Sequence, residues 1–86
     1  MNASRDESSV SAELEALVRG IVDHPDEVEV NEIPSAQATL LELRVADDDL
    51  GQVIGRQGRT IRALRTLLEA RASQGGDRYE LEILED

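Results

Sequence analysis

An α+β fold is predicted for this chain, with three helices packed on one face of a three-stranded sheet. Three observations predict it. Two segments repeat apolar residues at helical spacing, around Leu14–Val22 and Ile61–Leu68. Three shorter segments alternate apolar and polar residues, which is the signature of half-buried strands. A loop bounded by Gly55 and Gly58 joins what read as two helices. The chain has 86 residues, enough for one modest core and not two.

Taken in order, residues 1–10 are small, polar and without period, and are expected to form a flexible tail ahead of one domain over residues 11–86. Ser9 or Ser11 is placed to cap the first helix, whose apolar face holds Leu14, Leu17, Val18, Ile21 and Val22. Gly20 weakens this helix without breaking it, and Pro25 ends it by His24. Val28-Glu29-Val30 opens a strand that closes near Ile33-Pro34. After a short connection, Leu41, Leu43 and Val45 point one way and Glu42 and Arg44 the other, so the two strands should pair antiparallel. Asp47 or Asp48 is expected to cap a short helix containing Leu50, Val53 and Ile54. The glycine loop follows, then a longer helix from about Arg59 to Ser73 with the stripe Ile61, Leu64, Leu67 and Leu68, ended by Gly75-Gly76. Tyr79, Leu81 and Ile83 form the last strand.

Composition removes several classes of function. There is no cysteine, hence no disulfide framework and no zinc–thiolate site. The N-terminus lacks the apolar region of a signal peptide, and no apolar run approaches membrane-spanning length, so a cytoplasmic protein is expected, with no membrane and no small-molecule substrate. His24 stands alone beside Pro25 and reads as a helix C-terminal cap, not as a catalytic or metal-binding residue. Asp47 to Asp49 lack calcium-loop spacing, and Gly55 to Gly58 lack the Lys-Ser/Thr of a Walker loop. These features predict a non-enzyme with no cofactor and no metal.

The net charge is −10, but it is unevenly spread. Residues 51–71 carry Arg56, Arg59, Arg62, Arg65 and Arg71 against Glu69 alone, a local +4 within an otherwise acidic chain. The glycine loop lies in this segment. Glycines let another backbone approach closely, a helix start offers N–H groups and the positive end of its dipole, and arginines add full charge. Together they make a phosphate cradle. Charge by itself favours the plainer reading, acids that keep the chain soluble and arginines on a solvated helix face.

The element order and the run Val53-Ile54-Gly55-Arg56-Gln57-Gly58-Arg59 resemble a type II KH domain with its GXXG loop, order αββααβ. The runs Val22 to Val28, Leu50 to Thr60 and Ala63 to Leu68 resemble more narrowly the KhpA family of short bacterial stand-alone KH proteins, over roughly residues 12–85. That resemblance implies an RNA-binding protein, an RNA chaperone of the cytoplasm. It implies a homodimer or a pair with a larger Jag-type KH protein, in post-transcriptional regulation linked to cell-wall biogenesis and homeostasis and to cell shape. Two features depart from the family pattern: the polar N-terminal extension, and arginine as the loop cation where lysine is common. Met1 and the extent of the chain are read as a stand-alone protein and not as the KH piece of a Jag-type chain.

On this reading the loop clamps single-stranded RNA. Gly55 and Gly58 admit the phosphates, Arg56 and Arg59 neutralise them, Gln57 hydrogen-bonds a phosphate or sugar, and the helix start near Thr60 offers amides. Val53, Ile54 and Ile61, with Leu43, form a groove for bases, although each also fits a place in the core. Arg62 and Arg65 read first as a solvated face, with Arg62 kept as an RNA-binding candidate; Arg71 offsets the helix dipole or snorkels. Tyr79 is the one aromatic residue and falls in a strand, so stacking platforms are expected to be absent and binding weak, salt-sensitive and loose in sequence preference. The alternative is a dimerisation subunit with a weak or degenerate RNA site.

Overall fold

A computed structural model describes residues 9–85. Its elements are α1 (Ser9–Arg19), β1 (Glu29–Pro34), β2 (Thr39–Arg44), α2 (Leu50–Ile54), α3 (Arg59–Gly75) and β3 (Tyr79–Ile83). Short turns of tighter helix precede β1 (Pro25–Glu27) and α2 (Asp47–Asp49). The order αββααβ is the one expected. The sheet runs β1-β2-β3. β1 and β2 pair antiparallel, with Val30 opposite Leu43, as the short connection between them requires. β2 and β3 pair parallel, with Leu41 opposite Leu81. A parallel pair needs a long crossover, and α2 and α3 supply it.

One core joins the helices to one face of the sheet. α1 contributes Val10, Leu14 and Val18, at a spacing of four; β2 contributes Leu41 and Leu43; α2 contributes Val53; α3 contributes Ile61, Leu64 and Leu68; β3 contributes Leu81. The expected tail lies mostly outside the described residues, and its last two positions, Ser9 and Val10, are already helical, with Val10 buried. Three residues assigned to apolar stripes are not covered: Ile21, beyond the end of α1, is 36% exposed, and Leu17 and Leu67 are 46% and 49% exposed. The last two sit at the margin of the α1–α3 contact, where helical periodicity alone cannot say how far a neighbour reaches.

The first helix also ends earlier than expected. It stops at Arg19, and Gly20 closes it with hydrogen bonds to the carbonyls of Ala16 and Leu17, both 3.2 Å. The chain turns there because Asp23 and His24 must reach Asp49, 25 or 26 residues on. Asp49 has no exposed surface. Its Oδ1 accepts the Asp23 amide at 3.2 Å, and its Oδ2 accepts the His24 amide at 3.0 Å and the His24 ring Nδ1–H at 3.1 Å. His24 is therefore not a helix cap but half of a clasp. Likewise neither Asp47 nor Asp48 makes a side-chain cap; the third aspartate is the structural one, and it faces inward.

Burial pushes the Asp49 carboxyl up, but the two amides and the His24 ring outweigh it and hold the carboxyl below its ordinary value of 3.8. The hydrogen bond to Asp49, with its charge and those of Glu27 and Asp48, raises His24 above 6.5 against a smaller opposing effect of burial. A raised histidine stabilises the fold fully below 6.5 and loses that contribution as pH rises through its folded value. A depressed carboxyl stabilises above 3.8 and loses its contribution as pH falls through its folded value. Urea unfolding across pH should therefore show greatest stability between about 4 and 6.5 and a decline toward pH 8. In His24→Gln the decline above 6.5 should vanish. Asp49→Ala, which strands two backbone amides as well, should lower Tm more than His24→Ala at every pH in that window.

Candidate nucleic-acid interface

Helix α2 is only five residues long, too short to hold itself in place. Asp49 pins its start and Val53, fully buried, pins its body. The loop that follows is thus delivered from two fixed points. Gly55 ends α2 with its amide on the Gly51 carbonyl at 2.8 Å and adopts φ 80°, ψ 166°, a conformation reserved for glycine. Gln57 (φ 57°) and Gly58 (φ 73°) are both left-handed. The turn satisfies itself in part: the Gly58 amide reaches the Gly55 carbonyl at 3.0 Å, and the Arg59 amide reaches that of Arg56. The amides of Gly58 and Arg59, at the entry to α3, are therefore taken.

The two glycines differ. A Cβ on Gly55 would lie on the Thr60 side chain and 2.7 Å from its amide nitrogen. Thr60, half-buried, therefore packs against the glycine that the turn needs bare. A Cβ on Gly58 would meet only side-chain atoms at ordinary contact distance, the Arg62 Nη1 at 3.5 Å and the Ile61 Cγ2 at 3.9 Å. Arg62 thus folds back along the loop and does not merely occupy a solvated face. Arg56, Gln57, Arg59 and Arg62 are all exposed, and no residue among those described pairs with the three arginines.

The four apolar residues expected to line a groove are separated by burial. Val53 and Leu43 have no exposed surface and Ile61 only 8%, so these three lie in the core; Ile54, 37% exposed, is the one at the surface. An open cleft of about 400 Å³ lies elsewhere, between α3 and β3, with Arg65, Glu69, Arg78, Tyr79 and Glu80 on its walls. Sequence reasoning missed it. Arg65 was read as solvated, and its Nη2 in fact reaches the Leu81 carbonyl at the long distance of 3.5 Å. Burial pushes the Tyr79 phenol up, as do Asp77 and Glu32, with Arg71 opposing, so the ring stays neutral. Arg71 offsets no dipole: its Nη1 bridges both carboxylate oxygens of Glu13 at 2.7 and 2.8 Å, tying α3 to α1.

Among the described residues no three His, Asp or Glu side chains converge on a metal position, and no helix is long and apolar enough to cross a membrane.

Comparison with known proteins gives a consistent picture. The family model described as KhpA/KhpB, KH domain matches residues 11–83. The chain is 49% identical over 72 residues to the RNA-binding protein KhpA of Borreliella burgdorferi, covering 84% of this chain and 88% of that one. It is 49% identical over 73 residues to the protein of the same name from Leifsonia xyli, covering 85% and 93%. For the one from Clostridium acetobutylicum the identity is 45% over 71 residues, covering 83% and 95%.

The unequal glycines set a test of the loop. Gly55→Ala should be severely destabilising, by roughly 3 kcal/mol or more, because backbone strain and overlap with Thr60 add. Gly58→Ala should cost about 1–2 kcal/mol, the left-handed penalty alone. Urea unfolding of the two variants measures the difference, and equal losses would mean that the loop is not packed as described.

Proposed function

The chain belongs to the KhpA/KhpB KH-domain family, which is not a family of enzymes, and we propose that it is an RNA-binding protein that clamps single-stranded RNA through its Gly55–Gly58 loop. One observation carries this reading. Arg56, Arg59 and Arg62 crowd one tight turn without a carboxylate partner among the described residues, in a chain with nineteen acids. A solvated helix face in so acidic a chain has partners within reach, as Arg71 shows with Glu13 and Arg19 with Glu15. Three unpaired guanidinium groups around bare backbone instead suit an anionic backbone brought from outside, with bidentate geometry toward phosphate. Gln57 adds a hydrogen-bonding tip to the clamp. Val53 and Ile61 anchor in the core the helices that flank the loop, with Leu43 in the same core; Ile54 lies exposed beside Gly55, and Thr60 packs against Gly55.

The family resemblance extends the proposal to an RNA chaperone of the cytoplasm, acting in regulation tied to the cell wall and cell shape. It also extends it to pairing, as a homodimer or with a larger Jag-type KH protein. A feature of this chain supports pairing. Leu17 and Leu67 are exposed side by side over a small apolar groove floored by Leu14, Leu64 and Leu68, and the Glu13–Arg71 pair borders it. A patch with apolar centre and both signs of charge at its rim is self-complementary, as a two-fold interface must be. At 3.6 residues per turn, Leu67 lies nearly opposite Arg62 on α3, so pairing leaves the loop free. Two loops in one particle then raise the effective RNA affinity without new contacts.

Binding of fluorescent single-stranded RNA, measured by polarisation across a salt series, tests the clamp. Affinity on the order of micromolar at low salt is expected, falling with a slope of about −0.7 per phosphate contact. Arg56→Gln, Arg59→Gln and Arg62→Gln should each weaken binding and flatten the slope by about that amount. No binding at low salt, or equal binding by the triple variant, would remove the clamp. For pairing, light scattering after size exclusion should give a dimer for the wild type and a folded monomer for Leu67→Asp; a wild-type monomer at high concentration counts against it.

A further inference from the structure

We propose that the open face of the sheet, turned away from the helices, is a docking site for a short cationic segment of a partner protein. Ile33 and Leu40 receive its apolar residue, and Glu42, Glu80 and Glu82 receive its lysines or arginines. The inference does not depend on the RNA-binding reading, and its surface lies on the far side of the sheet from α2, α3 and the loop between them.

Strand alternation sets the composition of this face. Leu41, Leu43 and Leu81 point into the core with the helices, so the residues between them point the other way. The register aligns those residues in rows across the strands. Ile33 stands opposite Leu40, and Leu40 opposite Glu80; Asn31 stands opposite Glu42, and Glu42 opposite Glu82. Ile33 is 44% exposed, and Leu40, on the central strand, is still half-buried and not covered. An apolar pair spanning two strands thus lies open beside three carboxylates.

The charge of the face selects its occupant. Glu42 and Glu82 are directly opposite in the parallel pair, at a strand spacing of about 4.8 Å, and like charges so placed destabilise a sheet. Among the described residues no cation forms an ion pair with Glu42, Glu80 or Glu82, although Glu13 and Glu15 elsewhere do find arginines. Arg44 stands opposite Glu29 at the end of β2, and Arg78 precedes β3, so cations reach only the margins of the face. A metal ion does not supply the missing charge, because no three acidic side chains among the described residues converge on one position. Cations carried on separate side chains of a partner do match. Leu40 and Glu42 are two residues apart on one strand, about 6.6 Å, and an extended segment repeats its own side chains at that interval. An apolar residue over Ile33 and Leu40 therefore brings the cation two positions along over Glu42 and Glu82. The same carboxylates repel RNA, which leaves the face to a protein.

The probe is a short labelled peptide with a central leucine, lysines at alternate positions on either side and serines between, titrated into the full chain and followed by polarisation. Binding at low salt that weakens as salt rises is the expected result. Affinity should fall by about 5-fold or more in Glu42→Gln/Glu82→Gln, and by a similar factor when serine replaces the leucine of the peptide. Asp26→Asn/Glu27→Gln removes the same charge from an exposed turn away from the sheet and should stay within about 2-fold of the wild type. Thermal unfolding gives a second readout: Glu82→Gln without peptide should raise Tm, since it relieves one of two opposed carboxylates. No binding at low salt, equal affinity for the leucine and serine peptides, or equal losses in the two double variants would overturn the site. A Tm that does not rise removes the unmet charge on which the site stands. Salt-sensitive self-association of the wild type that Glu42→Gln/Glu82→Gln abolishes would give the face to a second copy of the chain instead.

Discussion

The buried carboxylate of Asp49 is the constraint on which the placement of the loop depends. A charge without exposed surface is costly unless hydrogen bonds replace its water, and here three do so, from Asp23, the His24 amide and the His24 ring. The bonds that keep Asp49 ionised also fasten the turn after α1 to the start of α2. That fastening explains two departures from simple helix logic. α1 ends at Arg19 although apolar residues continue to Val22, and the chain then bends so that two successive amides face one carboxylate. α2, a single turn and a half, holds its position because both ends are fixed from outside. Gly55 follows directly, so the accuracy of the turn is inherited from a clasp some six residues earlier.

Charge is organised on the same scaffold. All nine cations of the chain are arginine. Arg19 and Arg71 meet carboxylates at i+4 or across helices, whereas Arg56, Arg59 and Arg62 lie around a turn whose own sequence contains no acid between Leu50 and Arg65. The acidic remainder then has a consequence beyond solubility. Carboxylates predominate over the rest of the sequence, so a polyanion would be drawn toward the arginine segment and repelled where the acids cluster.

Much of this was legible before any coordinates. The order αββααβ, the antiparallel first hairpin, the stripe Ile61, Leu64 and Leu68, and the glycine turn between two helices all follow from local periodicity and glycine stereochemistry. What periodicity conceals is who covers a face. Leu17 and Leu67 belong to regular stripes and are nonetheless half exposed, while Leu43 and Val53, which suited a groove equally well, are fully buried. Asp49 was hidden for a different reason. In a run of three aspartates nothing local distinguishes the one that turns inward, because its partners lie 25 residues away. The cleft was hidden because its two walls, α3 and β3, meet only through the parallel pairing of β3 with β2, a relation that no short window contains.

The placement of residues around α3 shows how one helix separates tasks. Ile61, Leu64 and Leu68 face the core; Arg62 and Arg65 run down one flank from the loop to the cleft; Leu67 and Arg71 lie on the flank toward α1. Because a helix turns 100° per residue, these faces interleave in sequence, and Leu68, which lines both the cleft and the groove toward α1, is where they meet. Leu68 is buried in the core, Leu67 is half exposed beside Leu17, and Arg65 stands on the wall of the cleft. A single rigid element between all three also makes them mechanically coupled. Anything that shifts α3 against β3 alters the cleft and the loop together, and the core packing of Leu64 and Leu68 opposes that shift, as does the Arg65 bond to the Leu81 carbonyl. The Glu13–Arg71 bridge closes the same contact from outside, so the acidic body and the basic helix meet where the fold most needs α1 and α3 held together.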